Sequence, residues 1–192
     1  QVILPELAKA RVPGTRFWSA ACSSGQEPYS ISMIIDEFLR ANPGALANNV
    51  QIIATDLSPS MLEMARAASY DAAAMARGVS AERRRLFFKE RFGRWQLNED
   101  VRRRVTFSEH NLQFGFEPLG KFQVIFCRNV LIYFAADLKR SILARFAAAL
   151  QPGGYLFLGA AEAITGYSDA FEMLRLPQGI VDIDRAPAEN LA

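Results

Sequence analysis

The chain has 192 residues, 51% hydrophobic and 22% charged, which is length and apolar content enough for one compact domain with its own core. No run approaches the roughly 18 consecutive apolar residues of a membrane-spanning helix, and QVILPELAKAR lacks the charged, apolar, small-residue order of a signal peptide. The chain therefore reads as soluble and cytoplasmic, with no membrane insertion. Cys22 and Cys127 sit in no CxxC pair and have no histidines at ligand spacing, so they read as small buried thiols and no metal is expected. Net charge is +2, yet residues 77–104 hold ten Arg and Lys against four acids, a local charge of +6 that leaves −4 elsewhere. Such a field suits an acidic partner, either a carboxylate-rich protein surface or nucleic acid, or else marks a solvated face. The first residues read as the tail of a helix, which implies an upstream portion.

In chain order, residues 16–21 (RFWSAA) predict a short apolar strand, and residues 28–40 (PYSISMIIDEFLR) a helix opened by Pro28. Residues 50–55 (VQIIAT) predict a buried strand ending at Asp56, after which Ser58 or Pro59 opens the helix PSMLEMARAA. Residues 77–104 read as an inserted basic subdomain: a charged helix SAERRRLFFKE, then RWQL and a return strand. Strands follow at 105–112 (VTFSEHNL) and 122–127 (FQVIFC). In ADLKRSILARFAAAL, residues Leu138, Ile142, Phe146 and Leu150 recur every four positions beside Leu143, which is one apolar helical stripe. QPGG stops that helix, YLFLGA (155–160) supplies another strand, and FEMLRL, PQG and IVDID read as an antiparallel hairpin. The order predicts an α/β fold, a mostly parallel doubly wound sheet with a C-terminal antiparallel hairpin, of the Rossmann-like methyltransferase class. Such sheets bind ligands beyond the carboxyl ends of their strands. Function is therefore expected at residues 21–27, 56, 110–112, 127–133 and 159–162.

The first of these turns, SAACSSGQEPYS, has one glycine and no G-x-G-x-x-G, so it does not suit a pyrophosphate. Glu27 at its mouth suits a cationic ligand, or equally complements the helix N-terminus. Asp56 stands where an acid accepts hydrogen bonds from two ribose hydroxyls; an Asx turn with Ser58 is the competing role. Asn111 and Leu112 offer an amide and an apolar face to an adenine, while His110 alone is a weak candidate.

The strings SAACSSGQEPYSISM, IIATDLS, FQVIFCRNVLIYF and LQPGGYLFLGAAE resemble, in order and spacing, the signature segments of CheR-type chemotaxis receptor methyltransferases. The resemblance covers roughly residues 1–184, and GQEPYS with FCRNVLIYF is its specific part. It implies an S-adenosylmethionine-dependent protein-glutamate O-methyltransferase that yields S-adenosylhomocysteine and acts on the cytoplasmic domain of a chemoreceptor. It further implies that Glu27 and Asp56 hold the cofactor, that Asn111 and Leu112 line the adenine pocket, and that Arg128 and Asn129 lie beside the methionine part. Tyr133 takes the place of the tyrosine at the methyl-transfer site. By the same resemblance, residues 1–192 form the cofactor-binding domain, residues 77–104 a docking subdomain within it, and an upstream helical domain is absent from this chain. Rival readings are a nucleic-acid methyltransferase, disfavoured because the basic residues are not interleaved with a stacking platform, and a scaffold module that binds cofactor without catalysis.

Overall fold

A computed structural model describes residues 2–11, 13–46, 49–176 and 179–184. The described strands form a seven-stranded sheet and a small three-stranded sheet. The chain divides into two compact units, Gln1–Thr15 with Cys22–Glu109, and Arg16–Ala21 with His110–Ala192.

The first unit begins with α1 (Ile3–Lys9) and holds α2 (Gln26–Ala41), β2 (Val50–Asp56), α3 (Pro59–Ala67) and β6 (Val105–Glu109). Strands β2 and β6 pair in parallel from Ile52↔Val105 to Asp56↔Glu109. Parallel neighbours require a crossover between them, and here it is long. It carries α3, β3 (Ser69–Tyr70), α4 (Ala72–Ala76), α5 (Ala81–Phe87), β4 (Phe88–Arg91), β5 (Arg94–Leu97) and α6 (Glu99–Arg102). Strands β3, β5 and β4 make the three-stranded antiparallel sheet. Two sequence expectations are corrected here. The charged helix ends at Phe87, and FKER is a strand paired with RWQL, because Phe87 and Phe88 both turn inward onto a core with Tyr29, Met33, Tyr70, Leu97 and Val101. Helix α2 also starts at Gln26, two residues ahead of Pro28, behind a left-handed Gly25.

The second unit holds β1 (Thr15–Ala20, whose first residue belongs to the first unit), β7 (Phe122–Cys127), α7 (Ala136–Ala149), β8 (Leu150–Leu158), β9 (Phe171–Leu176) and β10 (Gly179–Asp184). Within it β1 pairs in parallel with β7 and β7 with β8, while β8, β10 and β9 run antiparallel. The hairpin is thus as expected, although Pro177 and Gln178 of its turn lie outside the described residues. Strand β8 begins at Leu150, where a helix residue was expected, and a register shift between Phe122 and Val124 absorbs the QPGG segment. The expected strand 105–112 stops at Glu109, and YLFLGA leaves the sheet after Leu158.

Trp18 is fully buried in the second unit, with the rings of Phe116, Phe146 and Phe122 at 4.8, 5.3 and 5.4 Å. The stripe of α7 packs as its period requires: Ile142, Leu143 and Phe146 are buried. No described helix is long and apolar enough to cross a membrane.

Asp182 of β10 is buried, and burial pushes its carboxyl up to about 6. That value lies above the roughly 3.9 of an unfolded Asp. The native state therefore binds the extra proton between about pH 4 and 6, and stability falls as pH rises through that window. Asp182→Asn should raise the thermal midpoint at pH 7.5, by on the order of 2 kcal/mol of stability, and change it little at pH 4. Calorimetry across that range checks both halves of the expectation.

Candidate functional site

In the first unit the site is built on the turn between β1 and α2. The turn cannot continue the sheet, so its backbone groups find partners one by one. The Cys22 N–H donates to the Thr55 carbonyl at 2.9 Å and the Gly25 N–H to the Cys22 carbonyl at 3.0 Å. The Tyr70 hydroxyl donates to the Ser24 carbonyl at 3.1 Å. The Ser23 N–H donates to Asp56 Oδ2 at 2.8 Å. Asp56 Oδ1 meanwhile accepts the Ser58 N–H at 2.9 Å, an Asx turn that frees Ser58 to cap α3 through the Met61 N–H. Asp56 therefore does what its structural reading required and clamps the preceding turn as well. Each carboxylate oxygen has two lone pairs, so two such bonds leave acceptor capacity for hydroxyl groups.

Three residues in five have left-handed backbone here: Ala21, Ser23 and Gly25, with φ of 57°, 49° and 87°. For the alanine and the serine this stores strain of roughly 1 kcal/mol or more each, held in place by the bonds above. Glu27 lies in the first turn of α2, half-buried, where it complements the helix end. Burial, then the Asp56 carboxylate and more weakly that of Glu27, pushes the Cys22 thiol up to about 12. The two predicted acids thus flank one turn, and Cys22 is a buried thiol, as its sequence setting implied. Cys127 is buried too.

In the second unit, β7 ends at Cys127 and Arg128 is exposed. Asn129 is left-handed with φ 60°, and Leu131–Tyr133 make one turn of 3-10 helix. The carboxylate of Glu162, just past β8, takes the backbone N–H groups of Asn129, Val130 and Leu131 at 2.7, 2.8 and 2.7 Å. It also takes that of Gly159 at 2.6 Å. Glu162 is absent from the sequence-derived set. Its signals were its place at 159–162 beyond a strand's carboxyl end and at the close of the string LQPGGYLFLGAAE, but no local pattern says which amides an acid will meet. Tyr133 is 78% exposed, with Ile132 beside it at 46%. Asn111 accepts the Gln113 N–H at 2.9 Å in an Asx turn, and Leu112 is buried. His110 packs on Trp18 and Phe116, its Nε2 buried without a partner, and burial followed by the Arg145 charge lowers its pKa. It belongs to the aromatic cluster and is not a poised base. Among the described residues no His, Cys, Asp and Glu group could hold a metal.

The fold is that of S-adenosylmethionine-dependent methyltransferases. A TehB-like methyltransferase from Corynebacterium glutamicum matches 94% of this chain and 84% of its own at TM-score 0.51 and 14% identity. TrmN from Thermus thermophilus matches 95% and 46% at 0.52 and 17%. Residues 1–180 match the family described as CheR methyltransferase, SAM binding domain, and the chain belongs to it. Chemotaxis protein methyltransferase 1 of Pseudomonas aeruginosa is 53% identical over 94% of this chain and 67% of its own. A protein of the same description from Vibrio cholerae is 52% identical over 93% and 65%. The chain thus spans about two thirds of these relatives' length.

Gly25 is the sharpest packing constraint in the first turn, because a Cβ there would sit 2.9 Å from the Ala65 Cβ on a backbone that is already left-handed. Gly25→Ala should cost about 1–3 kcal/mol, read as a lowered urea midpoint with unchanged slope.

Proposed function

We propose that this chain catalyses transfer of the methyl group of S-adenosylmethionine to glutamate side chains on cytoplasmic helices of a chemoreceptor. The family match over residues 1–180 carries the reading. When bound, S-adenosylmethionine supplies an electrophilic methyl on a sulfonium and leaves as S-adenosylhomocysteine. The donor set fits that molecule: a glycine-poor turn lined by carboxylates offers nothing to a pyrophosphate and suits a cation and a ribose.

When the cofactor is bound, Asp56 and Glu27 of the first unit would hold its ribose hydroxyls and its ammonium. Of the second unit's residues, Asn111 and Leu112 would serve the adenine, Arg128 and Asn129 the methionine part, and Tyr133 would orient the acceptor. An acceptor glutamate, reference pKa about 4.3, is ionised at neutral pH and attacks the methyl carbon directly; the carbon–sulfur pair stays on sulfur. That step needs no base, which agrees with a buried Cys22 thiol and a His110 held neutral. Positioning and exclusion of water then supply much of the rate.

Residues 77–104 act as the docking segment for an acidic receptor surface in this reading, but its ion pairs narrow the face that does so. Arg83 grips Glu37 with two bonds of 2.7 Å, Arg104 and Arg103 pair with Asp36 and Asp100, Arg102 with Glu99, and Arg84 lies over Trp95. Arg77, Arg85, Lys89 and Arg91 are the cations there with no partner among the described residues, and they are the ones assigned to the receptor.

Tritium transfer from labelled S-adenosylmethionine in the full-length enzyme tests the activity. Alkali-labile label on receptor fragments is expected, and stable label on protein or nucleic acid would overturn the reading. Asp56→Ala should weaken S-adenosylhomocysteine binding roughly 10- to 150-fold by titration calorimetry, the cost of one charged acceptor. Tyr133→Phe should leave that affinity nearly unchanged and lower turnover, because its hydroxyl acts on the acceptor side.

A further inference from the structure

The loop that carries Tyr133 has little of its own to hold it. The ring is 78% exposed, so side-chain packing does not fix the phenol, and its place is inherited from the backbone. That backbone is a left-handed Asn129 followed by a single 3-10 turn, closed by the Tyr133 N–H on the Val130 carbonyl at 3.2 Å. One turn of 3-10 helix is too short to persist unaided, and the N–H groups converging at its start repel one another.

A single carboxylate resolves this. Glu162 Oε1 accepts from Val130 and Leu131 at 2.8 and 2.7 Å and reaches the Ile132 N–H at 3.4 Å. Glu162 Oε2 accepts from Asn129 at 2.7 Å and from Gly159 at 2.6 Å. Such charge-assisted bonds are about twice as strong as neutral ones. The Glu162 N–H in turn donates to the Gly159 carbonyl at 2.9 Å, which anchors the acid to the end of β8. Strands β7 and β8 end side by side at Cys127↔Leu158, so the loops that leave them must run close together. They do so only because position 159 is glycine: a Cβ there would lie 2.6 Å from Glu162 Oε2 and 2.9 Å from the Asn129 nitrogen.

We propose that Glu162 is a positioning residue for methyl transfer, fixing residues 129–132 and through them the Tyr133 hydroxyl; this rests on the role given to Tyr133 above. It touches neither acceptor nor methyl group and acts through the loop.

Glu162→Gln keeps the shape but turns one acceptor into a donor that faces N–H groups. In the full-length enzyme, amide exchange at residues 129–132 should speed up at least about tenfold, with β1 and β7 amides unchanged. Turnover should fall about 10- to 100-fold. In a Tyr133→Phe background the same substitution should cost less than about threefold, since the group it positions is already gone. Unchanged exchange, or an equal loss of turnover in both backgrounds, would overturn the proposal. If Glu162→Gln loosens the whole fold, Glu162→Asp, which keeps the charge on a shorter arm, takes its place in each measurement. General loss of protection in both variants would make Glu162 a fold residue and also overturn it. Failure of the wild-type enzyme to methylate receptors would sink the reading of function, while the exchange measurement would still decide whether Glu162 holds the loop.

Discussion

A carboxylate standing just beyond the end of a strand gathers backbone N–H groups that the sheet cannot satisfy, and each unit of this protein depends on one. Asp56 does this in the first unit for Ser23 and Ser58, and Glu162 in the second for residues 129–131 and Gly159. The physical need is the same in both. A chain leaving a parallel strand must turn sharply, its amides lose their ladder partners, and any that are buried unpaired cost about as much as a lost hydrogen bond. A carboxylate offers about four acceptor sites in a small volume, so one side chain can serve a whole turn and still meet a ligand. Of the six non-glycine residues with left-handed backbone among the described residues, three lie where those clamps act: Ala21 and Ser23 in one turn, Asn129 in the other.

The side chains that ordinarily perform acid–base or nucleophilic work are withheld from it here. Burial and nearby carboxylates raise the Cys22 thiol, Cys127 is enclosed, and His110 sits among aromatic rings with its pKa lowered. For most group transfers that would be a deficiency. For the proposed reaction it is not, because methylation of an ionised carboxylate by a sulfonium needs neither proton removal nor a protein nucleophile.

The basic segment shows how formal charge overstates a surface. Its net charge of +6 suggested one broad cationic face, yet several of its arginines tie the segment to its own unit. Arg83 and Arg104 reach the acids of α2, and Arg84 stacks on Trp95 within the small sheet. The Arg104–Asp36 pair is largely buried and the Arg83–Glu37 pair half-buried, so they fix the segment's orientation and remove those cations from any partner's field. What is left to meet an acidic surface is a smaller group around α5 and β4.

Much of this was legible in the sequence because it is local. The alternation of apolar strands with amphipathic helices follows from periods of two and 3.6 residues, so strands at 16–21, 50–56 and 122–127, the stripe of α7 and the C-terminal hairpin could all be placed, as could the signature strings of the family. The buried cysteines and the Asp56–Ser58 turn were readable for the same reason. What only the tertiary structure decided were partners distant in sequence. FKER pairs with RWQL across the two-residue turn Phe92–Gly93, but the helix gave way at Phe87 because Phe87, Phe88 and Leu97 share a core with the distant Tyr29, Met33 and Tyr70, and β8 began at Leu150 because β7 offered a register for it. Glu162 acquired its amides because β7 and β8 end side by side, 31 residues apart in the chain at Cys127 and Leu158. A side chain's chemistry is written at its own position, whereas the groups it satisfies are chosen by whichever segments the fold brings within hydrogen-bonding distance.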